Sequence, residues 1–252
     1  PKNTRAFLKS ALPASLRRTL DLAYLHIDPT NYVSKKFKER FSDIVVKTRV
    51  KKGKNKKTGP PVEIYILFEH KSYHKPGFLV QLLYYMYLMW EQDLSEDKPL
   101  RVIIPLIFYH GGESWTTPPR FVEQFDVPDE VKEFMLDYRY VFFDTLDWDF
   151  ETADASLKQN IFTLTALALM KSASNDDLES ILQIFKFWHE KGFVKDKDNM
   201  LFFMEYISET KDIDQERLEN ILEETKIEGG DLMPTLAQRL RDEGRQEGIQ
   251  TG

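Results

Sequence analysis

Two strand-forming segments separated by a run of chain-breaking residues constrain the fold of this chain more than any other feature. Residues 43–50 read Asp-Ile-Val-Val-Lys-Thr-Arg-Val, and residues 62–69 read Val-Glu-Ile-Tyr-Ile-Leu-Phe-Glu. Residues 51–61 between them contain two glycines, two prolines and an asparagine. β-Branched and aromatic residues favour strands, whereas glycine, proline and asparagine favour turns. The pattern therefore predicts an antiparallel hairpin.

This hairpin would bring acidic residues together at one end. Residues 43 and 69 are equally distant from a turn centred near residue 56, so we expect Asp43 beside Glu69. Lys71 follows two residues later, on the same face because strand side chains alternate. Two carboxylates can hold Mg²⁺, which favours oxygen ligands, and a metal-bound water can attack a phosphodiester. From this spacing alone, a surface ion pair at a strand end is an equally good interpretation.

The rest of the first half predicts an α/β fold with a mixed sheet flanked by helices. Residues 4–26 are compatible with helix, and Pro13 predicts a break between two short helices. Residues 28–31 predict a loop. Residues 78–92 predict a helix that is apolar nearly all round and deeply packed. Further strands are expected at 101–109 and 140–144; within the first of these, Pro105 requires an edge position or a bulge.

The second half of the chain has a different pattern. Four helical segments with apolar residues at three- and four-residue spacing are expected near 155–171, 177–192, 197–210 and 214–226. We therefore predict three parts: an α/β domain at 1–150 that contains the two carboxylates, an acidic helical domain at 151–230, and a polar tail rich in glutamate and glycine at 231–252. The net charge of −6 conceals an asymmetry: residues 1–120 hold 21 basic against 11 acidic residues, and residues 121–252 hold 14 against 30.

Several motifs in the first half occur together in one order. They are Phe41-Ser42-Asp43-Ile44-Val45, Leu67-Phe68-Glu69-His70-Lys71-Ser72, Gln81-Leu82-Leu83-Tyr84-Tyr85-Met86, and Phe108-Tyr109-His110-Gly111-Gly112 with Trp115. Over residues 5–150 the chain resembles the Rpn (YhgA-like) family of recombination-promoting nucleases, also described as transposases, within the PD-(D/E)XK nuclease superfamily. Ser42 stands where the superfamily motif has proline.

The resemblance implies a metal-dependent DNA endonuclease with a restriction-endonuclease-like core. By position, Asp43 and Glu69 would bind the metal, together with the backbone carbonyl of His70. Lys71 would position the attacking water, and Gln81 falls where the family carries a glutamine facing the site. The expected cofactor is Mg²⁺, with Mn²⁺ or Ca²⁺ as alternatives. With these motifs in order, we favour the metal site over the surface ion pair.

Basic residues close to Asp43 are the expected DNA contacts: Lys35, Lys36, Lys38, Arg40 and Lys47. The five lysines between residues 51 and 57 would lie about 25 Å from the carboxylates, at roughly 3.3 Å per strand residue. For that lysine-rich turn, we favour a solvated tip over a DNA clamp.

The expected partners are DNA and a second copy of the chain, because cutting both strands of a duplex requires two sites. No segment reaches the roughly 18–20 consecutive apolar residues that cross a bilayer, so no membrane association is expected. The absence of cysteine and of an apolar leader favours a cytoplasmic protein. Two alternative functions stay open: a catalytically inactive nuclease-fold module that binds DNA or protein, and a strand-transferring transposase.

Overall fold

The computed structural model describes residues 2–28, 42–51, 59–69, 77–111, 114–149, 153, 155–173, 178–193, 196–210 and 215–224. The chain divides into two compact units, Pro1–Leu157 and Lys158–Gly252.

A five-stranded mixed sheet forms the centre of the first unit. Its strands are β1 (His26–Asp28), β2 (Ser42–Arg49), β3 (Pro61–Glu69), β4 (Ile103–Tyr109) and β5 (Val141–Asp144), and they lie side by side in chain order. The first three strands pair antiparallel, whereas β3, β4 and β5 run parallel. The predicted α/β fold with a mixed sheet and the predicted hairpin are confirmed.

Helices cover both faces of this sheet. Helices α1 (Lys2–Ala11) and α2 (Ala14–Thr19) are separated at Pro13, as predicted. Phe7 of α1 packs its ring on Phe108 and Phe143, with centroids 5.5 and 5.2 Å apart. Helix α3 (Phe78–Ser95) packs on the opposite face, where it shares a buried cluster with Val45 and Tyr65. Helix α4 (Asp129–Lys132) is a single turn between β4 and β5.

Some sequence predictions for this unit were wrong. Residues 26–28, of which the last was expected in a loop, form strand β1, because they pair with β2. Helix α3 is not buried all round, since four large side chains stay about half exposed: Val80, Tyr84, Tyr87 and Leu94.

Pro105 does occupy an edge-like position, because at this residue β4 pairs with β3 only and the β5 ladder begins at Leu106.

The second unit is helical in its described part. Helix α5 (Ala155–Lys158) lies at the division, followed by α6 (Ile161–Ala173), α7 (Leu178–Lys191), α8 (Lys197–Thr210) and α9 (Gln215–Glu224). The single helix predicted at 155–171 is interrupted at Asn160, whose side-chain oxygen accepts the Thr163 amide at 3.0 Å and so starts α6. Trp188 is fully buried in the core of these helices, and its indole nitrogen donates to the Thr165 hydroxyl at 2.8 Å.

Candidate active site

Both predicted metal ligands lie at the end of the sheet where β2 begins and β3 ends. Asp43 is the second residue of β2, and Glu69 is the last residue of β3. The register pairs Asp43 with Leu67, so the expected direct pairing with Glu69 was wrong by two residues. A shift of two keeps positions 43 and 69 on one face of the sheet, as diagonal neighbours about 7–8 Å apart.

Helix α3 covers this same face. Val45 and Tyr65 form the next pair of the ladder on this face, and both are at most 1% exposed. They belong to a buried cluster with Leu82 and Tyr85 of α3. Because alternate positions of a strand share a face, positions 43 and 69 continue this row towards the end of the sheet where β2 begins and β3 ends.

Gln81 is the α3 residue of the predicted site, and it lies one helical turn before Tyr85. Its amide nitrogen donates to the Tyr85 hydroxyl at 2.7 Å. Tyr85 is fully buried, and its ring centroid lies 6.0 Å from that of Tyr65 in β3. Gln81 itself is only partly buried, so a contact with the core holds a side chain that still reaches solvent.

An aromatic cluster borders the same end of the sheet. The parallel ladder pairs Glu69 with Tyr109, which is fully buried and packs on Trp115 with ring centroids 5.0 Å apart. A Cβ atom built on Gly111 would lie 2.1 Å from the Tyr109 hydroxyl oxygen, so glycine is needed for the chain to turn this close to the ring. No role is predicted for Tyr109 from the sequence, although this residue belongs to one of the motifs that carry the family resemblance.

Two further tyrosines of this cluster are neutral donors. The Tyr138 hydroxyl donates to the Leu79 carbonyl in the first turn of α3 at 2.5 Å, and burial raises its pKa strongly. The Tyr140 hydroxyl accepts from the Trp115 indole at 2.9 Å and donates to the Thr117 carbonyl at 3.0 Å. Burial also raises the pKa of Tyr140. Both hydroxyls therefore stay protonated at neutral pH. The Tyr138 hydroxyl fixes the start of α3, and the Tyr140 hydroxyl fixes the segment that contains Trp115 and Thr117.

A chain of ion pairs crosses the sheet face covered by α3, at the end opposite positions 43 and 69. Lys47, predicted to contact DNA, lies 2.8 Å from Asp28 and 3.8 Å from Glu63. Arg101 contacts Glu63 at 3.1 Å and also binds Asp93 near the end of α3. The charge of Lys47 is thus shared with two carboxylates of the fold, and a role in DNA binding stays a prediction.

Several predicted site residues lie outside the described residues: Lys35, Lys36, Lys38, Arg40, His70 and Lys71. Asp43 and Glu69 are described in their backbone only. Among the residues whose side chains are described, no group of three or more histidine, aspartate or glutamate residues could hold a metal ion. The described part of the chain also contains no helix that is long and apolar enough to span a bilayer.

Comparison with known proteins identifies relatives of the chain. The family model described as "Putative transposase, YhgA-like" matches residues 1–199. The inactive recombination-promoting nuclease-like protein RpnE of Escherichia coli (strain K12) is 26% identical over all of this chain and 81% of its own length. Recombination-promoting nuclease RpnA of the same strain is 24% identical over 98% of this chain and 81% of its own length.

A third relative aligns over a shorter stretch. Recombination-promoting nuclease RpnD of Escherichia coli O157:H7 is 29% identical over 45% of this chain and 42% of its own length. No solved structure matches the chain.

Proposed function

The chain belongs to the YhgA-like family, and on that basis we propose that it is a metal-dependent DNA endonuclease that hydrolyses phosphodiester bonds. The observation that carries this proposal is the register of β2 and β3, which brings positions 43 and 69 to one face and one end of the sheet. Relatives RpnA and RpnD, which are named recombination-promoting nucleases, support it and suggest a role in recombination.

The proposed metal ligands are Asp43, Glu69 and the backbone carbonyl of His70. This all-oxygen donor set suits Mg²⁺, and Mn²⁺ or Ca²⁺ are alternatives. When bound, the ion would act as a Lewis acid and lower the pKa of a coordinated water. The Lys71 ammonium would orient that water, and Gln81 would present its amide from α3 while its contact with Tyr85 holds it in place.

DNA is the proposed substrate. The cations closest to Asp43 in sequence, Lys35, Lys36, Lys38 and Arg40, would hold the phosphates on either side of the cut. Cutting both strands requires two active sites, so we propose a homodimer. Light scattering on the purified protein tests this, with a mass of about twice the monomer's 29.7 kDa expected.

Cleavage of supercoiled plasmid in Mg²⁺ or Mn²⁺ tests the nuclease. Asp43→Asn and Glu69→Gln remove the charge at nearly constant size, and each should slow nicking by about 100-fold or more. Glu133→Gln is the matched control, because this exposed carboxylate directly follows α4 and is not one of the proposed ligands, and this variant should cut at the wild-type rate. Equal cutting by all three variants would refute the assignment of the ligands.

An inactive binding module is the second candidate, because RpnE, which aligns over the whole chain, is named inactive. Calorimetric titration with Mg²⁺ and Mn²⁺ separates the two candidates. An active site should bind the ion in a manner that depends on Asp43 and Glu69. Binding of DNA without cleavage in any divalent metal, and without metal binding, would favour the module. Joining of a labelled strand to the plasmid would instead indicate transposase chemistry.

A further inference from the structure

The start of the chain is strongly cationic and contains no acid to balance it. Residues 1–20 include five lysines and arginines and neither aspartate nor glutamate. The first acids to follow are Asp21 and Asp28, and both are paired with strand β2. Asp21 lies 3.0 Å from Arg49, and Asp28 lies 2.8 Å from Lys47. These acids therefore neutralise cations of the sheet rather than those of α1 and α2.

Backbone contacts hold three of the cationic residues next to one another. The Arg17 guanidinium donates to the Lys9 carbonyl at 2.9 Å, and the Lys51 ammonium donates to the Arg17 carbonyl at 3.0 Å. The Lys51 amide also donates to the Thr19 carbonyl at 2.8 Å. Residues from α1, α2 and the end of β2, far apart in sequence, thus meet in one place.

These cations have no described counter-ion. Within the described residues, Lys2, Lys9, Arg17, Arg18 and Lys51 form no ion pair with a carboxylate. Four more lysines follow Lys51 in the segment 52–58, which lies outside the described residues. Like charges gathered without compensation repel one another, and a bound polyanion would relieve that repulsion.

The surface offers charge without apolar anchors. No large apolar side chain of residues 2–20 is exposed, since Phe7, Leu8 and Leu12 are buried against the rest of the unit. Peripheral membrane helices insert apolar side chains beside their cations, whereas contacts to a nucleic-acid backbone need cations and hydrogen-bond donors alone. The observations therefore favour phosphates of a nucleic acid over a lipid surface.

We propose that Lys2, Lys9, Arg17, Arg18 and Lys51 form a second DNA-contacting surface, which binds the phosphate backbone of duplex DNA away from the cleavage site. This inference rests on the proposed function, because it takes DNA as the substrate. Strand β2 and the two residues after it connect the two regions: from Asp43 to Lys51 this segment spans about 26 Å at 3.3 Å per residue. That length corresponds to about eight base pairs at 3.4 Å per step.

Binding of a fluorescent 24-base-pair duplex to the full chain, measured by anisotropy in EDTA, tests the surface separately from cleavage. The triple variant Lys2→Ala, Lys9→Ala and Arg18→Ala removes three cations. Within the described residues their side chains donate to no backbone carbonyl, unlike those of Arg17 and Lys51. The matched control, Lys98→Ala with Lys132→Ala and Lys186→Ala, changes the net charge equally but elsewhere. Circular dichroism checks that both variants are folded.

Each phosphate contact contributes about 0.9 to the slope of log affinity against log salt. The triple variant should therefore lower the slope by about 2 to 3 and weaken binding at least about tenfold at 0.1 M salt. The control variant should stay within about twofold of wild type, because it leaves all five cations of the proposed surface in place.

The outcomes separate this surface from the nuclease. If the triple variant binds with the wild-type affinity and slope while wild type still cuts plasmid, the surface is refuted and the nuclease stands. If the triple variant loses binding but wild type cuts in no metal, the surface stands and the endonuclease fails. Loss of binding to phosphatidylserine vesicles, with DNA binding unchanged, would overturn the surface in favour of a membrane contact.

Discussion

Replacing Asp93 with alanine should cost about 3–5 kcal/mol of folding free energy. Asp93 lies near the end of α3, and it is 3% exposed. It accepts three hydrogen bonds from Arg101: from the backbone amide at 3.0 Å, from Nε at 2.8 Å and from Nη2 at 2.5 Å. Arg101 also donates to Glu63 of β3 at 3.1 Å. Asp93 therefore ties the end of α3 to the sheet through Arg101.

The magnitude follows from what the substitution leaves behind. The Arg101 side chain is only 14% exposed, so replacing Asp93 removes one carboxylate from a nearly buried cation, while Glu63 stays in place. Breaking a buried pair from one side costs about 3–5 kcal/mol, and an amide that loses its acceptor adds about 1 kcal/mol. Glu63 still compensates part of the charge, so we expect a total cost of about 4 kcal/mol.

Urea unfolding measures this cost through the tryptophan fluorescence of the chain, to which four tryptophans contribute. One of them, Trp90, reports on this region, because its indole donates to the Arg101 carbonyl at 3.0 Å. The control is Glu96→Ala, which breaks an ion pair with Lys98 on the surface nearby. An exposed pair contributes only about 0.2–1 kcal/mol, so the control should unfold almost as wild type does. A cost below about 1 kcal/mol for Asp93→Ala would refute the argument from burial.

Acid should remove this stabilisation in a defined range. The hydrogen bond from Arg101 lowers the pKa of Asp93 below its ordinary value of 3.8. Because the native state binds the proton more weakly than the unfolded state, the contribution is fully present above that ordinary value. It is lost as the pH falls through the lowered native pKa. The stability difference between wild type and Asp93→Ala should thus stay constant from pH 7 to 5 and shrink only in stronger acid.

Two more predictions concern the proposed active site. Gly111→Ala should destabilise the first unit by about 1–3 kcal/mol and reduce cleavage, because the added Cβ would lie 2.1 Å from the Tyr109 hydroxyl oxygen in a packed cluster. Thermal melting measures the loss of stability and plasmid nicking measures the loss of cleavage; an unchanged melting temperature would contradict the prediction. Cysteines at positions 43 and 67 should form a disulfide on oxidation, whereas cysteines at 43 and 69 should not, because the first two positions are paired and the second two are diagonal. The chain has no native cysteine to interfere, and mass spectrometry under oxidising conditions would show which pair crosslinks.

Local patterns predicted most elements of the first unit. The hairpin, the helix break at Pro13, helix α3 and strand β4 all follow from side-chain periodicity and from breaking residues, which act within a few positions of the chain. The family resemblance likewise depended on short ordered motifs. These local signals were enough to predict that Asp43 and Glu69 lie at the same end of a sheet.

The register of that hairpin was decided by tertiary packing. A shift of two residues leaves every side chain on the same face, so the alternating pattern cannot distinguish pairing of Asp43 with Leu67 from pairing with Glu69. Packing between α3 and the row formed by Val45 and Tyr65 favours one register. The same limit explains the missed strand β1, which is only three residues long and exists through its pairing with β2.

Charge shows the same division between sequence and structure. The sequence alone determines that the first 120 residues carry a net charge of +10 and the remainder −16. Only the tertiary structure decides which cations are neutralised, because ion pairs join residues that are distant along the chain. It pairs Lys47 with Asp28 and Glu63, and it places Lys51 against α2 without a described counter-ion.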